Sequence, residues 1–79
     1  MGFRRKQLTC KDVKKILKSL GFSHDRTEGS HEQWVGYKNG RKILVTVDCP
    51  KAPFDAWLLK AMVRQSGYSK DEWYKQLEK

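Results

Sequence analysis

His31-Glu32-Gln33-Trp34-Val35-Gly36-Tyr37-Lys38-Asn39-Gly40-Arg41-Lys42-Ile43-Leu44-Val45-Thr46-Val47 reads as a β-hairpin. Asn39-Gly40 is the strongest short-range signal for one, because a type I′ turn needs positive φ at both central positions. The flanking residues predict a strand from His31 to Lys38 and a β-branched return strand from Lys42 to Val47. A two-residue loop fixes the register, so that paired positions sum to 79, and Trp34 faces Val45 while Gly36 faces Ile43. The period of two then gathers Trp34, Ile43, Val45 and Val47 on the expected core face. His31, Gln33, Val35 and Tyr37 point the other way.

Upstream, Glu28-Gly29-Ser30 is a turn, and residues 22–27 form a short polar edge strand anchored by Phe22. Before it, Val13, Ile16, Leu17 and Leu20 recur at i, i+3, i+4 and i+7. Thr9 and Asp12 supply a capping pair and Gly21 a stop, which predicts a helix from about Cys10 to Leu20. Downstream, Cys49-Pro50-Lys51-Ala52-Pro53 is a loop. A second helix opens at Phe54 or Asp55, shows a stripe of Leu58, Ala61, Met62 and Gln65, and stops at Gly67. Ser69-Lys70-Asp71-Glu72 is a capping box for a short last helix, Asp71 to Leu77, whose Trp73 and Leu77 pack back on the body. The order α-β-β-β-α-α predicts an α+β fold with the helices on one sheet face.

Seventy-nine residues with 38% hydrophobic content give one domain, residues 1–79, with a thin core. A chain of this size buries only about 60% of the surface it exposes when unfolded. A two-domain enzyme with a cofactor cleft is excluded. So is a membrane span, which needs ~20 apolar residues. No signal peptide is expected, because Arg4-Arg5-Lys6 leads into a charged helix. The net charge is +8, and residues 1–20 carry seven Lys and Arg against one Asp. Arg4, Arg5, Lys6, Lys11, Lys14, Lys15 and Lys18 suit a polyanion through phosphate contact and counterion release. A solvated helix face or an acidic protein partner fits the same pattern.

Few residues offer chemistry. There is no glycine-rich phosphate loop. Asp71 and Glu72 are first-turn helix acids, and Asp48 and Asp55 stand apart in the sequence. Cys10 and Cys49, with His24 and His31, lack zinc-ligand spacing. They read as reduced thiols of a cytoplasmic protein, with no metal and no cofactor, and a disulfide between Cys10 and Cys49 is the alternative that the spacing leaves open. That leaves histidine, whose ordinary pKa suits acid–base work near neutral pH. His31 follows Gly29-Ser30 at a loop-to-strand junction, a common place for functional groups. An ordinary half-exposed strand histidine fits the spacing as well. His24 reads as a surface residue, useful as a second proton-transfer group only if the fold brings it beside His31. Trp34 reads as core rather than as a base-stacking platform.

Gly29-Ser30-His31-Glu32-Gln33-Trp34 resembles the Gly-Ser-His-x-x-aromatic motif of the HicA family, the small mRNA interferase toxins of bacterial toxin–antitoxin pairs. Its setting agrees. Residues 13–22 look like that family's first helix running into its first strand, and residues 58–69 look like its second helix with a Gln-x-Gly-hydrophobic-Ser ending. The resemblance covers roughly residues 9 to 74. It implies a fold like the double-stranded-RNA-binding domain, metal-independent cleavage of mRNA without a cofactor, and a HicB-like antitoxin as partner. It assigns the catalytic histidine to His31 alone. Lys14, Lys15 and Lys18 of the basic cluster, and Ser30 beside the histidine, are the expected RNA contacts. Two departures stand out. Residues 48–54 replace a His-Pro-rich stretch that the family often has, and residues 1–8 form a basic extension that shorter members lack. The rival expectation is a non-catalytic RNA-binding module of the double-stranded-RNA-binding type, which has no need of His31.

Overall fold

The computed structural model describes residues 7–78. Its elements are α1 (Cys10–Ser19), β1 (Ser23–Glu28), β2 (His31–Lys38), β3 (Arg41–Asp48), a 3-10 turn (Cys49–Lys51), α2 (Ala56–Ser66) and α3 (Lys70–Gln76). This is the α-β-β-β-α order of a double-stranded-RNA-binding-domain-like fold with one short extra helix.

The three strands form an antiparallel sheet in the order β1-β2-β3. Asn39 (φ 54°) and Gly40 (φ 75°) adopt the two positive φ values that the turn between β2 and β3 requires. The register follows from that turn along its whole length, from Lys38 opposite Arg41 to His31 opposite Asp48. Strand β3 is one residue longer at each end than its β-branched run. Strand β1 lies one residue later than expected, because Phe22 is not part of the ladder. Its ring packs where a side chain on Gly36 would be, and a Cβ there would come within 2.8 Å of it. A bulge between His24 and Arg26 breaks the register of β1, not of β2, so the alternation along β2 survives.

Trp34, Val45 and Val47 are buried and meet Val13, Ile16 and Leu17 of α1 and Leu59 and Met62 of α2. Tyr37 and Leu44, on the opposite face of the sheet, are exposed. Helix α1 has the Thr9–Asp12 capping box. Helix α2 is capped by Asp55, which accepts the Leu58 N–H at 2.8 Å, and ends at Gly67 in the left-handed conformation. Its Gln65 side chain runs to the edge of β3 and accepts the Thr46 N–H at 3.1 Å.

Helix α3 starts at the Ser69–Glu72 capping box. It docks through Trp73, whose indole N–H donates to the buried Ser66 hydroxyl at 2.9 Å. Gln76 accepts from Ser19 of α1 at 2.9 Å, which ties the last helix to the first.

The basic N-terminal extension falls mostly outside the described residues. Its last residue, Leu8, is fully buried and bridges to Phe54, whose N–H it accepts at 2.9 Å. Of the two cysteine states the sequence leaves open, the structure has the disulfide and not the preferred reduced thiols. Cys10, at the start of α1, and Cys49, just past β3, are joined by a disulfide with Cα atoms 5.2 Å apart. That spacing is within the range a disulfide spans. Among the described residues no helix is long and apolar enough to cross a membrane.

Candidate active site

His31 opens β2 immediately after the Gly29-Ser30 turn, where Gly29 takes a φ of 62°. The hairpin register puts Asp48, the last residue of β3, directly opposite. Paired residues on neighbouring strands project to the same face, so the two side chains meet. His31 Nε2 lies 3.3 Å from Asp48 Oδ2. The imidazole is 53% exposed while the carboxylate is only 19% exposed. The acid is thus the fixed partner and the ring the accessible one. Lys51, in the 3-10 turn, brings its ammonium within 3.9 Å of the same oxygen. The other carboxylate oxygen, Oδ1, is buried without a hydrogen-bond partner.

These groups open on a cleft of about 190 Å³ between the end of the hairpin and α2. Leu58, Ala61, Met62 and Gln65 form its helical wall, the very stripe read from the sequence, and Thr46 lies on the β3 side. A carboxylate at Nε2 selects the tautomer that carries the proton there and leaves the Nδ1 lone pair free. Such an imidazole can accept a proton from a bound hydroxyl. The carboxylate then stabilises the cation that results.

The other sequence candidates are placed apart from this cleft. His24 pairs with Trp34 in the β1–β2 ladder, so it projects to the core side while His31 projects to the other. It hydrogen-bonds Thr27 Oγ1 at 2.8 Å and meets the Trp34 ring edge-on at 5.7 Å. It is not a second proton-transfer group beside His31. Trp34 is 2% exposed and belongs to the core. Lys14 forms an ion pair with Glu32 at 2.9 Å, on the sheet face opposite His31. Lys15 and Lys18 are exposed on α1, and Ser30 is exposed in the turn.

Glu32 also accepts the Trp34 indole N–H at 3.1 Å. Burial pulls its carboxyl upward. The hydrogen bonds from Lys14 and Trp34, with the Lys14 and His24 charges, outweigh that and hold it below the usual glutamate value. Among the described residues Cys10, Glu32 and Cys49 come close enough to surround a metal ion. Their donors are already engaged: the sulfurs bond each other and the carboxylate holds Lys14.

Asp48 and Lys51 are the two site residues that inspection of the sequence leaves unassigned. The signal for Asp48 was present in the hairpin register, since positions that sum to 79 include His31 and Asp48.

A family model described as the HicA toxin of bacterial toxin–antitoxin systems matches residues 10–68. No curated protein and no solved structure matches the chain.

Proposed function

The chain belongs to the HicA family of bacterial toxins, and from that premise we propose that it is a metal-independent endoribonuclease acting on mRNA through His31. A toxin of this class works against an antitoxin partner, which we take to be a HicB-like protein that covers the His31 cleft or the RNA path beside it. The observation that carries the reading is the His31–Asp48 pair at 3.3 Å, with an exposed imidazole backed by a half-buried carboxylate.

The chemistry follows from RNA itself. Its 2′-hydroxyl is a nucleophile three atoms from the phosphorus it can attack. His31 Nδ1 takes the hydroxyl proton as the 2′-oxygen bonds to phosphorus. The bond to the 5′-oxygen breaks as that oxygen takes a proton from water, and a 2′,3′-cyclic phosphate is left on the upstream fragment. Asp48 holds the ring and stabilises the imidazolium. Lys51 supplies positive charge where the phosphoryl oxygens gain negative charge. No divalent cation is required, because the proton acceptor and the phosphate-binding cation are both side chains. Lys15, Lys18 and Ser30 remain candidate RNA contacts. Lys14 is a weaker one, since its ammonium already serves Glu32.

The experiment compares wild type with His31→Ala on labelled RNA, with EDTA present throughout. General acid–base transfer contributes roughly 10²–10⁴-fold in rate, so the variant should lose at least about 100-fold while keeping its fold by circular dichroism. It should also relieve growth arrest on expression. Equal cleavage by the two proteins, or a wild-type activity that EDTA removes and metal restores, overturns the reading.

A further inference from the structure

Helix α2 carries two adjacent stripes that share one residue. Leu58, Ala61, Met62 and Gln65 wall the His31 cleft. Trp57, Lys60, Ala61 and Arg64 line a shallow recess of about 140 Å³ beside it. Both sets follow the i, i+3, i+4, i+7 spacing of a helix face, so the two depressions are neighbours with Ala61 as the ridge between them. Trp57 is 79% exposed, whereas Trp34 and Trp73 are 2% and 0% exposed. An indole left in water forgoes the burial that makes tryptophan useful to a core. The groups around it are cationic. Lys60 and Arg64 share its stripe, and the nearest acid on the helix, Asp55, is turned back to cap the Leu58 N–H.

We propose that Trp57, Lys60 and Arg64 form a nucleobase subsite for single-stranded RNA that adjoins the catalytic cleft. The assignment to RNA rests on the ribonuclease reading above. One base of the strand lies against the indole face, and the ammonium and guanidinium groups hold the phosphates on either side. A sequence-tolerant aromatic platform interleaved with cations is how proteins bind single strands. Duplex RNA does not fit, because its bases are already stacked and present only their edges. A protein partner fits less well. Tryptophan and arginine also serve as protein-interface anchors, but lysine is depleted at interfaces and Lys60 shares this stripe. The subsite would explain how a cleft of this small size positions a strand: the chain is gripped one step away from the bond that breaks.

The probe is a short 2′-O-methyl oligoribonucleotide, which lacks the attacking hydroxyl and cannot be cut. Because the other two tryptophans are buried, fluorescence quenching on titration reports Trp57. We expect quenching in the wild type, none in Trp57→Phe, and none in the wild type with the same sequence as a duplex. Trp57→Ala should bind the single strand about 5- to 150-fold more weakly, the range for loss of one base stack, while Trp57→Phe keeps most of the affinity. In cleavage assays Trp57→Ala should raise KM with kcat little changed. Equal affinity of Trp57→Ala and wild type, or the same quenching in Trp57→Phe, overturns the subsite. If Trp57→Ala loses affinity for an antitoxin but none for RNA, the patch is a protein contact and the proposal fails. The two readings separate cleanly. A wild type that cuts no RNA yet shows Trp57 quenching keeps the subsite and loses the nuclease, and a Trp57→Ala variant that binds and cuts normally does the reverse.

Discussion

In the proposed mechanism, His31 and Asp48 are the smallest unit on which cleavage depends. A charge-assisted hydrogen bond to a partly buried carboxylate contributes about 1.5–3 kcal/mol, and each 1.36 kcal/mol is tenfold in rate. Asp48→Asn keeps the shape and removes the charge, so kcat should fall about 10- to 100-fold with little change in KM. Circular dichroism should show the variant folded as wild type, whereas a purely structural role for Asp48 would lower stability and leave the kcat of the folded fraction in place. At this scale the sequence is legible in part. His31 is marked by its turn and motif, because a functional group at a strand start needs the glycine and serine that shape the approach. Asp48 carries no local mark. Its role comes from the turn eight residues upstream, through pairing. Lys51 is less visible still, since its position depends on how the 3-10 turn folds back toward the strand.

Among the elements, the hairpin holds the site and Phe22 holds the hairpin. The Phe22 ring occupies the space over Gly36. Gly36→Ala forces a Cβ to within 2.8 Å of the ring, and overpacking of this kind costs about 1–3 kcal/mol. Urea titration should show a lower midpoint with an unchanged slope. The residual folded fraction should still cleave RNA, because His31 and Asp48 lie at the far end of the ladder. Element boundaries were legible to within a residue or two, because caps and stops mark them: Thr9 and Gly21 for α1, Asp55 and Gly67 for α2, Ser69 and Glu72 for α3. The sheet register was legible because a two-residue turn leaves no freedom. What the sequence did not disclose is where helices land on the sheet. Cys10 and Cys49 are 39 residues apart, and no local periodicity says that the start of α1 reaches the end of β3. The reduced-thiol expectation failed for that reason. Leu8 is a similar case, a single apolar residue whose burial against Phe54 depends on the α2 lead-in passing close by.

For the molecule as a whole, acid is the condition that separates its parts. The Glu32 carboxylate sits under β2 between Lys14 and Trp34, with a folded-state pKa below the ordinary value. A depressed acid gives stability that is fully present above about pH 4.3, the ordinary glutamate value, and is lost as pH falls through the lower folded-state value. Thermal midpoints of wild type should therefore drop on acidification below that point. The difference between wild type and Glu32→Gln should shrink over the same window. A constant difference would mean that the ion pair contributes nothing measurable. The sheet has a further property at this scale. The β3 margin is closed by α2, with Gln65 on the Thr46 amide. The β1 margin has six exposed residues and, among the described residues, no neighbouring element. Strand addition therefore has one polarity. Two copies meeting at β1 would make a six-stranded sheet with an α2 at each outer margin. There the Gln65 side chain takes the Thr46 amide that a further strand would need.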